Sequence, residues 1–151
     1  MGAACSVQRA AIKTLKDRPR LLPTRLTTVH YLVTRPAPSY LPASRRLPFE
    51  RHVFTVVVAV TGLREEQDSD LRLVLKEGAY HMIAEAPAPE CDRGATSKLR
   101  KEMATARGAA RLCKRARVTG VAYFDPKNGQ EHIGQNGIEL HPIVGFRCLR
   151  S

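Results

Sequence analysis

The segment of residues 50–63 restricts the fold more than any other part of the sequence. Its side chains alternate between two sets that are both largely apolar, with Phe54 and Val56 in one set and Val53 and Val57 in the other. Because successive side chains of a strand point to opposite faces of a sheet, this pattern predicts a long strand buried on both sides. Such a strand lies at the centre of a sheet and is long enough to bend.

Two shorter strands are predicted directly after it. In residues 70–76, Leu71, Leu73 and Leu75 occupy every second position, which indicates one buried face and one solvated face. A tight connection then leads to a third strand at residues 80–85. Because the links between these strands are short, we expect the three to form an antiparallel meander.

A helix is predicted over residues 96–114, where the apolar period changes from two to about 3.6 residues. Either Thr96 or Ser97 is suited to cap its N-terminus. The apolar side of this helix recurs at alternating steps of four and three residues: Leu99, Met103, Ala106, Ala110 and Cys113.

Two further strands, at residues 117–124 and 137–146, complete an order of three strands, one helix and two strands. That order matches a small five-stranded OB-type barrel, a mainly β fold with one helix, whose closure removes most exposed strand edges. We therefore expect an OB-like domain over residues 49–151. An open α+β sheet is the alternative that this order of elements leaves.

Residues 1–48 are expected to form a basic, proline-rich and flexible arm in front of this domain. A short strand is predicted near residues 27–34, because the sequence T-T-V-H-Y-L-V-T is rich in β-branched and aromatic residues.

The net charge of +11 is unevenly distributed. Residues 1–51 carry ten Lys and Arg and residues 91–117 carry nine, against two acids in each block, whereas residues 52–90 carry three against seven acids. Nucleic acid or another polyanion would meet the basic blocks. Four cations are expected to share one face of the predicted helix: Arg100, Arg107, Arg111 and Lys114. The plainer interpretation is a solvated basic face that keeps the domain soluble.

Two features limit how the chain can bind a nucleic acid. OB-type barrels usually bind oligonucleotides across their second and third strands and the adjoining loops. Here the first of those loops is acidic, with Glu65, Glu66, Asp68 and Asp70. Aromatic residues make up 5% of the chain and Trp is absent, so few side chains can stack on bases. Any such contact is expected to be mostly electrostatic and weakly selective.

Two polar clusters suggest chemistry. One is expected near a rim of the barrel, where side chains of the last loop and strand can bind a metal or exchange protons: Asp125, His132, Asn136, Glu139 and His141. The second, Asp68, Asp70 and Glu85, groups carboxylates that can hold a divalent cation. The plainer interpretations are a hydrogen-bonded network that pins the loop to the barrel and a solvated hairpin tip. A metal-dependent enzyme requires the two clusters to converge in space.

Residues 118–144 resemble the C-terminal part of a group of uncharacterised bacterial proteins. They read V-T-G-V-A-Y-F-D-P-K-N-G-Q-E-H-I-G-Q-N-G-I-E-L-H-P-I-V, and the group's pattern is G-V-G-F-F-D…H-G-Q-T-G…N-G-I-E-L-H-P-V-L. The resemblance extends back through F-T-V-V-V-A-V-T-G, D-L-R-L-V-L and M-I-A-E, and so covers residues 50–146. It implies no particular activity, although members of the group often look exported. The chain departs from the pattern at residues 128–132, where N-G-Q-E-H replaces H-G-Q-T-G.

Common catalytic signatures are absent from the sequence. It has no G-x-S-x-G serine, no G-x-x-x-x-G-K-[ST] loop and no cysteine in a nucleophile motif. We therefore assign no catalytic residue, no metal ligand and no cofactor, and an enzyme is less favoured than a binding protein. The hypotheses in order are a polyanion-binding module, an exported or lipid-anchored accessory protein that binds a protein or small ligand, and a metal-dependent hydrolase.

The cysteines and the N-terminus leave the compartment open. Cys5, Cys91, Cys113 and Cys148 form no C-x-x-C pair, so neither a zinc site nor a thioredoxin-like motif is indicated. We expect Cys113 to be a buried thiol on the helix, with one disulfide among the last three cysteines as the alternative in an exported protein.

The first residues favour a disordered start over two lipidation patterns. Gly2 with Ser6 fits myristoylation, and Cys5 fits the remnant of a lipoprotein signal. The apolar run at residues 53–60 is too short to span a membrane. We expect a soluble protein, either cytoplasmic or exported with a truncated signal, and the sequence does not define its oligomeric state.

Overall fold

The computed structural model describes Cys5, residues 7–125 and residues 136–151. Within these residues the chain forms six strands: β1 (Arg25–Leu26), β2 (Val53–Glu65), β3 (Leu71–Glu77), β4 (Tyr80–Ala86), β5 (Cys113–Phe124) and β6 (Ile138–Arg150). It also forms three α-helices and two single 3-10 turns: α1 (Ala10–Lys13), α2 (Val29–Val33), α3 (Ser97–Ala109), Pro48–Arg51 and Pro89–Cys91. No helix in this part of the chain has the length and apolar character needed to cross a membrane.

The strands close into a five-stranded barrel. β2, β3 and β4 form an antiparallel meander, β4 pairs in parallel with β6, and β6 pairs antiparallel with β5. β5 then pairs with β2, which closes the sheet, and the short β1 lies parallel to β2 as an extra strand. The expected OB-type order, with the helix between the third and fourth barrel strands, is therefore confirmed.

The barrel interior holds the apolar side chains predicted from the strand patterns. Val56 of β2, Leu73 and Leu75 of β3, and Leu140 of β6 are fully buried in one cluster. The long helix α3 packs on this barrel through Met103 and Ala106, which are buried. Thr96 caps the helix, as expected, by accepting a hydrogen bond from the Leu99 N–H.

The segment near residues 27–34 is a helix, so the predicted strand is wrong. Thr28 caps α2 by accepting the Tyr31 N–H at 3.0 Å. Val29 and Leu32 are fully buried in the barrel's main cluster. Their spacing of three residues places both on one helical face, and this burial outweighs the strand preference of the β-branched residues.

The flexible arm expected before residue 49 is also not what the structure has from residue 7 onward. Ile12 and Leu15 are completely buried, and Leu15 packs with Val53 and Val121 of the barrel. These residues therefore belong to the folded unit.

An ion pair without solvent contact fixes this segment. The Arg9 guanidinium donates two hydrogen bonds of 2.7 Å to the Glu50 carboxylate, and both side chains are 0% exposed. Arg9 also donates to the carbonyls of Pro42 and Phe124, while Glu50 accepts the N–H groups of Leu47 and Phe124. With these partners, all three guanidinium nitrogens of Arg9 and both carboxylate oxygens of Glu50 are hydrogen-bonded, as a buried charge requires.

Two disulfides complete the fold. Cys113 does not lie on the helix, which ends at Ala109; it begins β5 and is bonded to Cys148 of β6. The expectation of a buried free thiol is therefore wrong, and the alternative of a disulfide among the last three cysteines holds. A second disulfide joins Cys5 to Cys91, 86 residues apart in sequence.

Breaking the buried ion pair is expected to cost more than replacing it. Because Glu50→Gln leaves the Arg9 charge buried without a counter-charge, we expect the free energy of unfolding to fall by about 3–5 kcal/mol. The double variant Arg9→Met/Glu50→Met is expected to lose less than Glu50→Gln alone. Urea denaturation measures both, and strictly additive losses from the two single Met variants would contradict the coupling.

Candidate functional site

The four cations predicted to share one helical face do not do so. Arg100 is exposed on α3, but Arg111 and Lys114 follow the end of that helix, and Lys114 lies in β5. Arg107 has a structural role, since its guanidinium donates hydrogen bonds to the carbonyls of Ala86, Pro87 and Ser69 at 2.8–3.2 Å. The expected helical binding face is therefore not formed, because the helix is shorter than its apolar period suggested.

A different set of cations gathers on one side of the barrel. We call it the basic sheet face, and its six exposed members come from the end of β3 and from β5 and β6: Lys76, Lys114, Arg115, Arg117, Arg147 and Arg150. The strand register places Arg115 opposite Arg150 and Arg117 opposite Arg147. Like charges directly opposite each other on neighbouring strands destabilise a sheet, and a bound anion would relieve that repulsion.

The basic sheet face borders a shallow cleft of about 620 Å³. Val57, Val58 and Ala59 of β2 line it together with four cations of the face. Among the described residues, none of the six cations forms an ion pair with a carboxylate. Their charges are therefore available to a ligand. The alternation of Arg115 and Arg117 with buried Ala116 and Val118 is the sequence signal that could have revealed this face.

The opposite ends of β3 and β5 border a second cleft, which has the reverse character. This acidic cleft measures about 590 Å³ and is lined mostly by charged side chains: Lys13, Arg64, Glu66, Gln67, Asp68, Asp70, Arg72, Glu85 and Asp125. The two predicted polar clusters converge here, because ligand atoms of Asp70, Glu85 and His141 all lie within 4.8 Å of one another. Asp68 lies beside them and accepts the Asp70 N–H at 3.0 Å.

The rim cluster is only partly assembled as predicted. Asp125, Glu139 and His141 are buried near the acidic cleft, and His141 Nδ1 lies 3.3 Å from Glu139 Oε1. Burial, reinforced by the nearby Asp125 charge, raises the pKa of Glu139 well above its usual value. Burial also lowers the pKa of His141, so the imidazole is held neutral. His132 lies outside the residues that the structure describes.

Asn136 has a structural role in this region. Its amide donates to the carbonyls of Leu32 and Arg35 at 2.8 and 2.9 Å, and its oxygen accepts the Ile138 N–H. Gly137 beside it has a φ of 77°, which favours glycine, and a Cβ there would lie 2.8 Å from the Asp125 carbonyl oxygen. At Asn136, the plainer interpretation of a pinning network therefore holds.

Comparisons with known proteins support the fold class. No protein-family model and no curated protein sequence matches the chain. A putative aspartyl-tRNA synthetase from Leishmania major Friedlin matches 99% of this chain over 24% of its own length, with 13% identity and a TM-score of 0.53. An aspartyl tRNA synthetase from Entamoeba histolytica matches 65% of this chain over 18% of its own length, with 14% identity and a TM-score of 0.47. The chain thus spans a quarter or less of each synthetase. Of the two, only the Leishmania protein, with its TM-score of 0.53, supports the fold, and at 13% identity that likeness concerns the fold alone.

We expect Asn136→Ala to destabilise the protein without removing a ligand contact. The change removes the amide that donates to the Leu32 and Arg35 carbonyls and the oxygen that accepts the Ile138 N–H, which should lower the free energy of unfolding by about 1–3 kcal/mol. Denaturant unfolding measures the loss. Unchanged stability would show that the Asn136 hydrogen bonds do not hold α2 against the barrel.

Proposed function

We propose that this chain is a nucleic-acid-binding domain that contacts phosphates through its basic sheet face. The observation that carries the proposal is the grouping of six exposed cations on one side of an OB-type barrel. None has a carboxylate partner in the described structure, and four of them line one cleft. OB-type barrels commonly bind oligonucleotides, which supports the choice of a nucleic acid among polyanions. The structural likeness to tRNA synthetases is a likeness of fold and adds only the fold to this argument.

The proposed surface differs from the one that OB-type barrels usually employ. The loop between β2 and β3 carries Glu66, Asp68 and Asp70 and lines the acidic cleft, which would repel phosphates. The basic sheet face uses the other ends of β3 and β5, away from this repulsion. No aromatic side chain lines its cleft among the described residues. Binding is therefore electrostatic, with little base selectivity and a steep dependence on salt.

Two triple charge-reversal variants, one on the basic sheet face and one on α3, test which surface binds the nucleic acid. We expect Lys114→Glu/Arg115→Glu/Arg117→Glu to weaken binding of a labelled single-stranded oligonucleotide by at least about tenfold, because it removes clustered phosphate contacts. The matched control, Lys98→Glu/Arg100→Glu/Lys101→Glu, changes the net charge equally on α3 and is expected to have a much smaller effect. Fluorescence anisotropy at several salt concentrations measures both.

Equal weakening by the two triple variants would show that net charge, rather than the basic sheet face, controls binding. Absence of binding by the unmodified protein at low salt would exclude a nucleic-acid partner.

The disulfides favour a second candidate, an exported accessory protein. All four cysteines are paired, as Cys5–Cys91 and Cys113–Cys148. Disulfides persist mainly in oxidising compartments such as the bacterial periplasm and the extracellular space. The proposed kinship of residues 50–146 with bacterial proteins that often look exported points the same way. In this case the basic sheet face would contact an anionic surface of the cell envelope.

Counting thiols tests the second candidate. When the protein is alkylated during extraction from its native source and then weighed by mass spectrometry, we expect no adduct, because an exported protein is oxidised. Reduction before alkylation is the control and should give four adducts, one for each cysteine. Four adducts without reduction would place the protein in a reducing compartment and contradict export.

A further inference from the structure

Different parts of the barrel bring three side chains together at the acidic cleft, where Asp70 and Glu85 line the surface and His141 is buried close to them. Asp70 precedes β3, Glu85 lies in β4 and His141 lies in β6. β4 and β6 pair in parallel with Ile83 beside Glu139 and Ala84 beside Leu140, so the next residues along, Glu85 and His141, are neighbours. One ligand atom from each of Asp70, Glu85 and His141 lies within 4.8 Å of the other two. This spacing suits shared coordination of one ion after small side-chain adjustments.

The His141 ring supplies an observation independent of the carboxylates. The residue is 0% exposed, and its Nε2 has no hydrogen-bond partner in the described part of the chain. A buried polar nitrogen without a partner is costly, so such an atom requires an explanation. Its other nitrogen, Nδ1, lies 3.3 Å from Glu139 Oε1. When Nδ1–H donates to Glu139, Nε2 presents a free lone pair.

That arrangement is the one found around metal-binding histidines. A histidine that ligates a metal through one nitrogen almost always donates its other N–H to a carboxylate or carbonyl, which fixes the ring and its tautomer. Here Glu139, itself fully buried, occupies that supporting position.

We propose that Asp70, Glu85 and His141 bind one divalent metal ion of the Zn²⁺ or Mn²⁺ type. An imidazole with two carboxylates suits these ions, whereas Ca²⁺ and Mg²⁺ prefer oxygen ligands alone. Three protein ligands leave further coordination positions for water. Glu139 is a positioning residue, since it acts on the metal only through His141.

The site is independent of the proposed nucleic-acid interface. It lies at the other ends of β3 and β5, and none of its residues belongs to the basic sheet face. Loss of metal binding and loss of oligonucleotide binding are therefore separate results.

Isothermal titration of the full-length, chelator-treated protein with ZnCl₂ or MnCl₂ tests the proposal. We expect one ion per chain, with the affinity lowered at least about tenfold by Glu85→Gln or Asp70→Asn and about 10–100-fold by Glu139→Gln. Glu66→Gln is the matched control, because it removes the same charge from the same cleft outside the ligand set. No uptake by the unmodified protein, or equal weakening by Glu85→Gln and Glu66→Gln, overturns the site.

Since replacing the buried His141 risks unfolding the protein, the histidine is tested in the unmodified chain. Long-range ¹H–¹⁵N NMR of its imidazole, recorded with and without one equivalent of Zn²⁺, should show a shift of the Nε2 resonance with Nδ1 still protonated. An unchanged Nε2 resonance at saturating Zn²⁺ excludes the nitrogen ligand and with it the proposed site.

Discussion

The buried ion pair of Arg9 and Glu50 is the interaction on which the rest of the structure depends, because it joins the N-terminal segment to the start and end of the barrel strands. Two opposite charges at 0% exposure are stable only when their hydrogen-bonding groups are satisfied, because neither can recover its lost hydration. Arg9 meets this requirement with the carbonyls of Pro42 and Phe124, and Glu50 with the N–H groups of Leu47 and Phe124. The N-terminal segment, the proline-rich segment and the end of β5 are thereby held in one geometry.

This network extends towards the acidic cleft. The Arg9 guanidinium lies 5.1 Å from the centre of the Tyr123 ring, and that ring lies 5.4 Å from the ring of His141. Tyr123 is itself fully buried, and burial raises the pKa of its hydroxyl, so it stays neutral. Arg9 therefore packs against the Tyr123 ring, which in turn packs against His141. Through these contacts the N-terminal segment contributes to the geometry of the proposed metal site.

The sequence predicts best where periodicity and burial agree. The strands from β2 to β6 follow apolar alternation, so their order and the barrel could be foreseen. Residues 27–34 could not, because the same β-branched residues serve a short helix once Val29 and Leu32 enter the core. Cys113 continues the helical spacing of Leu99 and Met103, and only the three-dimensional approach of β5 to β6 shows that it pairs with Cys148.

The candidate site residues could likewise be predicted only where local sequence places them together. Asp70 and Glu85 were expected together and His141 apart from them, and the parallel pairing of β4 with β6 unites the three. Local sequence carries no sign of that pairing. Arg9 resembles every other cation of a basic segment, since its partner Glu50 lies 41 residues away. Conversely, the sequence pattern of Arg107 is that of a free surface charge, whereas its guanidinium donates hydrogen bonds to three backbone carbonyls.

Charge segregation is the feature that connects the fold to its proposed function, because the basic sheet face and the acidic cleft occupy opposite ends of the same strands.

The most direct test is to map amide chemical-shift changes of the ¹⁵N-labelled protein as a single-stranded oligonucleotide is added at low salt. Our account predicts that the largest changes fall on the C-terminal end of β3, the start of β5 and the end of β6. Changes centred on α3 or on the acidic cleft would contradict it.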